Sequence, residues 1–320
     1  MNTNRLKTAL CACGLAVAGL PAWAGPLQRA DVPAEPAWVL HFDCDSLRPT
    51  AIGQYLLAEL EKPEAKAQFA AFQTIFNFDP HKQLHGLTLY STGTASEDIV
   101  LLIYADFDPD RLITMAKAAT GYQSTPYKQH VIYNWIDEKK RGEGDVKPRV
   151  YAAIQGGHIV VYAQREARVA QALAVLDRAA PSLAASGVFP QLGAGGSNSQ
   201  LVAAARTLDL SDSDPTAALF RLAKMGWLQL GEAQGQLKGT LILEANDEEV
   251  ARLMGWVGQG VLALMKLQKG SPVSAKFAEA LALKQDRAGV VVSLAMPAND
   301  AIGLMKADAA RKGQKKAEKD

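Results

Sequence analysis

Cysteine is nearly absent from this sequence. Three occur in 320 residues, and two of them, Cys11 and Cys13, lie in an N-terminal segment with the features of an export signal. An exported chain would keep only Cys44, and a single cysteine cannot form an internal disulfide. The stability of the fold must therefore come from a packed apolar core, which a hydrophobic content of 48% can supply.

The N-terminal segment has the three zones of a cleavable signal. Arg5 and Lys7 give a basic start, the apolar run Thr8–Leu20 follows, and residues 22–24 end in the Ala-x-Ala pattern that a signal peptidase requires. The run is shorter than the roughly 20 residues that span a hydrocarbon core. Lipoprotein processing at Cys13 is the weaker interpretation, because it leaves almost no apolar stretch after Lys7. We expect cleavage after residue 24 and a periplasmic or extracellular location.

Long uncharged apolar runs are missing from the rest of the chain. The strongest candidate, residues 250–267, contains Arg252, Gln259 and Lys266 and so predicts an amphipathic helix. Loss of the signal, which carries two cations and no acid, lowers the formal net charge from +1 by two, to −1. A nearly neutral chain does not attract nucleic acid at long range. We therefore expect no nucleic-acid partner and no transmembrane segment after signal cleavage.

The motifs of common catalytic and cofactor sites are also missing. Residues 25–320 contain no Gly-x-Ser-x-Gly elbow, no Walker loop, no Gly-x-Gly-x-x-Gly turn after a strand and no Cys-x-x-Cys pair. The sequence therefore predicts no catalytic residue, no cofactor and no metal ion. A non-enzymatic protein is expected more than an enzyme.

The order of the predicted elements repeats along the chain. Hydrophobic periodicity and helix-start residues predict strand, helix, strand, strand and helix in each half, although the residues of the two halves do not align. This order indicates a diverged internal duplication and an α+β fold of two β-α-β-β-α halves of the ferredoxin-like split type, with antiparallel sheets and helices packed on one face. The predicted parts are a signal peptide at 1–24, an extended leader at 25–36, a first half at 37–181, a Gly- and Ser-rich joint at 182–199, a second half at 200–305 and a charged tail at 306–320.

Local patterns predict the individual elements. The fold is expected to begin at Trp38, and the tail is expected to be solvated and frayed because it has no apolar face after Ala310. In the first half, strands are expected at 38–43, 86–90, 99–104, 122–127, 130–136, 150–154 and 158–162, with helices from 49, at 63–76, at 108–119 and at 165–178. In the second half, strands are expected at 201–210, 227–233, 236–245 and 289–296, with a turn at 211–215 and helices ending at 225, at 248–267, at 272–283 and from 297.

Two groups of residues are weak candidates for a metal site. His81 and His85 are four residues apart, the spacing that places two imidazoles on one face of a helix in zinc hydrolases. Those enzymes need a glutamate beside the first histidine, and here that position is Lys82. Pro80 and Gly86 also confine the segment to about one helical turn. Ordinary loop histidines are the favoured interpretation.

The second group is the only dense cluster of possible ligands. On a strand, His41 and Asp43 share one face, and Cys44 and Asp45 follow directly. Trp38, Leu40 and Phe42 are expected to face the core, which would leave His41 and Asp43 on the solvent side of the strand. Asp45 or Ser46 is then expected to cap the next helix.

Cys44 is expected to be a buried and unreactive thiol. Its neighbours Asp43 and Asp45 would raise its pKa, whereas a nucleophilic cysteine needs a base and a positive environment. Pairing with a cysteine of another chain is the minor alternative.

Three glycines lie inside the long helix expected at 248–267. Each of Gly255, Gly258 and Gly260 costs about 0.5–1 kcal/mol relative to alanine in a helix, so a structural reason is expected. Close packing against another helix or a sheet is favoured, and a ligand groove or a partner helix is the alternative.

Over most of residues 25–320, the sequence resembles a family of uncharacterised secreted bacterial proteins. The resemblance rests on residues 247–254 and 260–264, on 38–43, and on 78–80 before the strand that begins at Gly86. These residues are packing and capping positions, so the resemblance implies export and an α+β fold but no activity or cofactor.

Two functions are compatible with these features. The favoured one is an exported, non-enzymatic protein that binds an envelope protein or a ligand in the groove between its halves or along a sheet face. The alternative is a divergent metal-dependent hydrolase that uses His41 and Asp43, with His81 or His85.

Overall fold

The computed structural model describes residues 25–317 with gaps at 64–65, 67–69, 71–72, 75–76, 139–146, 194–198, 207–216 and 268–271. The predicted signal peptide and the turn at 211–215 lie outside the described residues, as does most of the helix predicted at 63–76.

The strands of the described residues form one continuous antiparallel sheet. From edge to edge the order is β11-β12-β10-β9-β8-β1-β2-β3-β7-β6-β5-β4. The strands are β1 (Trp38–Asp43), β2 (Leu84–Ser91), β3 (Ile99–Ala105), β4 (Gln123–Tyr127), β5 (His130–Ile136), β6 (Arg149–Gln155), β7 (Ile159–Ala163), β8 (Leu201–Ala205), β9 (Met225–Ala233), β10 (Gln236–Glu244), β11 (Leu281–Asp286) and β12 (Gly289–Pro297).

The helices of the same residues lie between the strands in chain order. They are α1 (Cys44–Leu47), α2 (Ala51–Leu60), α3 (Pro80–Gln83), α4 (Pro109–Ala118), α5 (Glu166–Leu176), α6 (Ala217–Leu222), α7 (Glu248–Leu267), α8 (Pro272–Glu279) and α9 (Ala298–Ala317). The mixture of helices with an antiparallel sheet confirms the predicted α+β class.

The sheet is built from two halves that meet at its centre. β1 and β8 pair with each other, and outward from them the orders β1-β2-β3-β7-β6 and β8-β9-β10-β12-β11 correspond strand for strand. β4 and β5 extend the first half beyond this common pattern. The strand order adds detail to the predicted ferredoxin-like halves. All neighbouring strands are antiparallel, and β1 pairs directly with β2, although helices separate the two strands in the chain.

The two faces of the sheet carry different layers. We name them the Phe42 face and the His41 face after the alternate residues of β1, because side chains alternate between faces along a strand. On the Phe42 face, α2, α8 and α9 cover the middle of the sheet, α4 covers the outer strands of the first half, and α7 covers those of the second. On the His41 face, α5 and the segments at 27–32 and 183–192 cover the first half.

The leader is part of the folded structure. Arg29 donates hydrogen bonds to the carbonyl oxygens of Leu183 and Val188 at 2.9 and 3.2 Å, and Val32 is fully buried in the core. The Asp31 carboxylate accepts hydrogen bonds from Tyr104 Oη at 3.0 Å and from Arg178 at 2.9 Å. The packed chain therefore begins before the Trp38 start that the sequence predicts.

Local patterns place most elements correctly and misplace three. The helix predicted at 272–283 ends at Glu279, and its last residues begin β11, which pairs with β12. The helix predicted to end at 225 ends at Leu222, since Met225 already pairs in β9. The predicted frayed tail continues α9 as far as Ala317. In the first two cases, sheet pairing overrides local helix propensity.

Candidate functional site

The structure places His41 and Asp43 inside the protein, not on a solvent face. They are 2% and 5% exposed on the His41 face of β1, while Phe42 on the opposite face is half-buried. The predicted orientation was wrong because both faces of the sheet are covered here, so alternation along β1 does not separate core from solvent.

Both side chains are held by contacts within the fold. His41 Nδ1 lies 2.9 Å from Thr88 Oγ1, and its Nε2 lies 3.0 Å from the carbonyl oxygen of Gly25. Asp43 caps the short helix α1 by accepting the Ser46 N–H at 2.9 Å. The helix predicted from 49 is capped by Thr50, so the capping role predicted for Asp45 or Ser46 was wrong.

Burial of His41 has a consequence for stability at low pH. Burial lowers the pKa of His41, although the Gly25 carbonyl and Asp43 act in the opposite direction. Because the pKa of His41 is lowered in the folded chain, the unfolded chain takes up the proton more readily than the folded chain once the pH falls toward the unfolded-state pKa of about 6.5. Acidification therefore favours unfolding. His41→Gln, which cannot take up this proton, is expected to lose less unfolding free energy than the wild type between about pH 7.5 and 5.5. Urea unfolding of both proteins at several pH values checks this, and parallel losses would contradict it.

His81 and His85 do not form a helical pair. His81 belongs to α3, whereas His85 lies on β2, so the four-residue spacing is split between two elements. His85 Nδ1 lies 3.0 Å from Asp45 Oδ2 and its Nε2 lies 3.0 Å from Asp106 Oδ2, while His81 Nδ1 lies 3.9 Å from Glu61. Within the described residues, no group of three or more His, Cys, Asp and Glu side chains could hold a metal ion.

Cys44 begins α1 and is partly buried. Burial, with smaller contributions from Asp43 and Asp45 and against the opposing effect of Arg48, raises the pKa of its thiol to about 11. The thiol is therefore almost fully protonated at neutral pH, which makes it a poor nucleophile.

A cavity of about 340 Å³ lies on the Phe42 face where the two halves meet, and we name it the joint cavity. The first half supplies β1 and the segment from α1 to α2, and the second half supplies β8, β9, β10 and β12 with α8 and α9. Its lining is apolar except for the side chains of Gln200 and Glu232. The lining residues are Phe42, Leu47, Ile52, Gln200, Leu201, Leu230, Gly231, Glu232, Leu237, Phe277, Met296, Ala301, Leu304 and Met305.

The two polar side chains of the joint cavity are already used by the protein. Glu232 is 7% exposed, and its carboxylate accepts the N–H groups of Ala51 at 3.0 Å and Ile52 at 2.8 Å, where the N-terminus of α2 favours negative charge. The Gln200 amide donates to the carbonyl oxygen of Glu232 at 3.2 Å and accepts its N–H. Both groups are therefore engaged in hydrogen bonds within the fold.

Local sequence explains how α2 reaches the cavity. Thr50 caps α2 by accepting the Gly53 N–H at 2.9 Å. A Cβ at Gly53 would lie 1.9 Å from the carbonyl oxygen of Leu47, so only glycine allows α1 and α2 to approach this closely. This contact places Leu47 and Ile52 together in the wall of the joint cavity.

A second cavity of about 270 Å³ lies under α4 on the same face, and we name it the α4 cavity. Its walls include Ile113 and Met115 of α4 with Tyr133 and Trp135 of β5. It involves the first half only. The joint cavity is larger and uses residues from both halves.

Sequence reasoning predicted a groove between the halves but none of its residues. The lining side chains are mostly ordinary apolar residues of helices and strands, and no motif separates them from core residues. Glu232 was the available signal, because an acidic residue inside an apolar strand needs a partner. Among the described residues, no helix has the length and apolar content needed to cross a membrane.

Comparison with known proteins provides only a distant structural likeness. No family model matches the chain, and no curated protein matches it. Crystal forms III and I of TP0453 each have a TM-score of 0.49 and 12% identity to this chain. The match to form III covers 87% of this chain and 97% of the TP0453 chain. The match to form I covers 89% of this chain and 98% of the TP0453 chain. Such a likeness carries no argument about function.

Proposed function

We propose that this protein is an exported, non-enzymatic binding protein that holds an apolar molecule in the joint cavity. The observation that carries the proposal is a cavity of about 340 Å³ whose lining is apolar apart from two side chains, Gln200 and Glu232, that are hydrogen-bonded within the fold. Its size lies within the range of roughly 300–1,000 Å³ that small-molecule sites occupy. Export is the expectation from the N-terminal signal.

The chemistry of the lining restricts the ligand class. Each methylene moved from water to an apolar site is worth about 0.8 kcal/mol, so an alkyl or acyl chain gains affinity along its length. The Glu232 carboxylate repels an anionic group inside the cavity, so the polar end of such a ligand has to remain at the mouth. An uncharged chain or a single acyl chain fits these requirements best.

The alternative of a metal-dependent hydrolase has less support. It needs His41 and Asp43 to be free to bind an ion, and the His41 ring nitrogens and the Asp43 carboxylate are all in contact with other groups of the fold. No observation within the described residues favours it over binding.

A fluorescent apolar probe tests the proposed function. N-phenylnaphthylamine should bind the mature chain saturably at one site, with an increase in fluorescence as it leaves water. Dodecanol, an uncharged chain, should displace it, and glucose should not. Absence of saturable binding, or displacement by glucose and dodecanol alike, would overturn the proposal.

A further inference from the structure

One side of α7 exposes a continuous row of apolar side chains. Leu253, Trp256, Val257, Leu264 and Leu267 are 42%, 59%, 39%, 63% and 71% exposed. With a turn of 3.6 residues, their positions fall on one side of the helix, together with exposed Gly260. We name these six residues the α7 stripe.

The α7 stripe does not belong to the core below the helix. α7 packs on the sheet through another side, where Ala251 and Met254 are fully buried beside Leu243 and Val290. The helix therefore has two apolar sides, one covered and one open. A contiguous exposed apolar patch on a folded protein marks an interaction surface.

The stripe is symmetric in sequence about Gly260. Leu253 and Leu267 lie seven residues before and after it, and Trp256 and Leu264 lie four residues before and after it. Two copies of α7 that cross antiparallel at Gly260 therefore place Leu253 of one copy opposite Leu267 of the other, and Trp256 of one copy opposite Leu264 of the other. Such a two-fold arrangement uses the same patch on both copies.

In this arrangement the backbones of the two α7 helices approach most closely at Gly260. A Cβ at Gly260 would meet nothing within 4 Å in the single chain, so packing within one copy does not explain a residue that weakens the helix. At the centre of a helix pair, a glycine lets the two backbones approach closely and leaves room beside it for the Trp256 side chains.

The helix dipole of α7 also favours an antiparallel second copy, because an antiparallel pair aligns opposite ends of the two dipoles. The ionised side chains of α7 do not set the orientation, since Glu249 pairs with Arg252 of its own helix at 3.8 Å. A lipid surface would instead favour cations along the helix, whereas α7 carries equal numbers of acidic and basic residues.

The surface available is sufficient for a specific contact. Complete burial of the exposed side chains of the stripe would remove at most roughly 500 Å² from each copy, or about 1,000 Å² in total, which reaches the lower limit for a biological interface. We infer that the protein forms a two-fold homodimer in which the α7 stripes of two copies pack antiparallel about Gly260.

Sedimentation and disulfide trapping test this dimer on the mature full-length chain. The wild type should sediment as a dimer, and Leu264→Glu should shift it to a monomer with an unchanged circular dichroism spectrum. Leu60→Glu on α2 is the matched control, because Leu60 is 39% exposed outside the stripe, and it should leave the dimer intact.

Disulfide trapping in a Cys44→Ser background tests whether the two α7 helices pack antiparallel about Gly260. Gly260→Cys should form an intermolecular disulfide under mild oxidation, because the two positions face each other. Leu253→Cys should form one only when mixed with Leu267→Cys. A monomeric wild type would overturn the dimer, as would efficient self-linking of Leu253→Cys. Binding of a monomer to phosphatidylglycerol vesicles through the stripe would assign it to a lipid surface instead.

Discussion

Leu304→Asp is expected to lower the affinity for an apolar ligand about 100-fold, which corresponds to roughly 2.7 kcal/mol. Leu304 lies on α9 in the wall of the joint cavity and is half-buried, so the carboxylate can stay hydrated while the site is empty. An apolar ligand would displace that water without offering a hydrogen bond, and the cost of desolvating a charge opposes binding. Titration with N-phenylnaphthylamine measures the loss directly.

Two controls separate an effect on the joint cavity from a general effect of charge. Ala310→Asp adds the same charge to the same helix at an exposed position outside the cavity wall, and it should leave the affinity unchanged. Ile113→Asp adds it to the α4 cavity and should also leave binding unchanged. If Ile113→Asp abolishes binding while Leu304→Asp does not, the ligand site lies under α4 and the present assignment is wrong.

Glu232→Ala is expected to lower the free energy of unfolding by about 3 kcal/mol, because hydrogen bonds to a charged group contribute about 1.5–3 kcal/mol each. The substitution removes both acceptors of the Ala51 and Ile52 N–H groups and leaves the first turn of α2 without its anionic partner. Chemical denaturation with circular dichroism measures the change.

A conservative variant identifies the cause of that loss. Glu232→Gln keeps one acceptor oxygen with nearly the same shape, so it should lose about half as much stability as Glu232→Ala. Equal losses in the two variants would show that the negative charge matters more than the hydrogen bonds. No measurable loss in Glu232→Ala would contradict the role of this residue in fixing α2 beside the joint cavity.

Local signals were sufficient where the sequence pattern and sheet pairing agree. β1 and β5 have the predicted bounds, and Asp108 before Pro109 caps α4 as a helix-start signal should. β11 was missed because Leu281 and the residues after it suit a helix, and only pairing with β12 decides otherwise. Such pairing joins segments through tertiary structure and leaves no local trace.

The candidate site depended even more on tertiary structure. The orientation of His41 could not be read from β1, because it depends on α5 and on the leader covering the second face of the sheet. The joint cavity requires knowledge of how closely α2, α8 and α9 approach the central strands. Local periodicity specifies which side of an element is apolar, but not whether the opposing layer fills the space above it.

Methionine methyl resonances offer the most direct test of ligand binding in the joint cavity. Met296 and Met305 line this cavity, whereas Met115 lines the α4 cavity and Met254 is buried on the sheet-facing side of α7. In a protein labelled at its methionine methyl carbons, addition of dodecanol should shift the Met296 and Met305 signals and leave the other two in place. Shifts at Met115 or Met254 without any at Met296 and Met305, or no shifts at all, would contradict binding in the joint cavity.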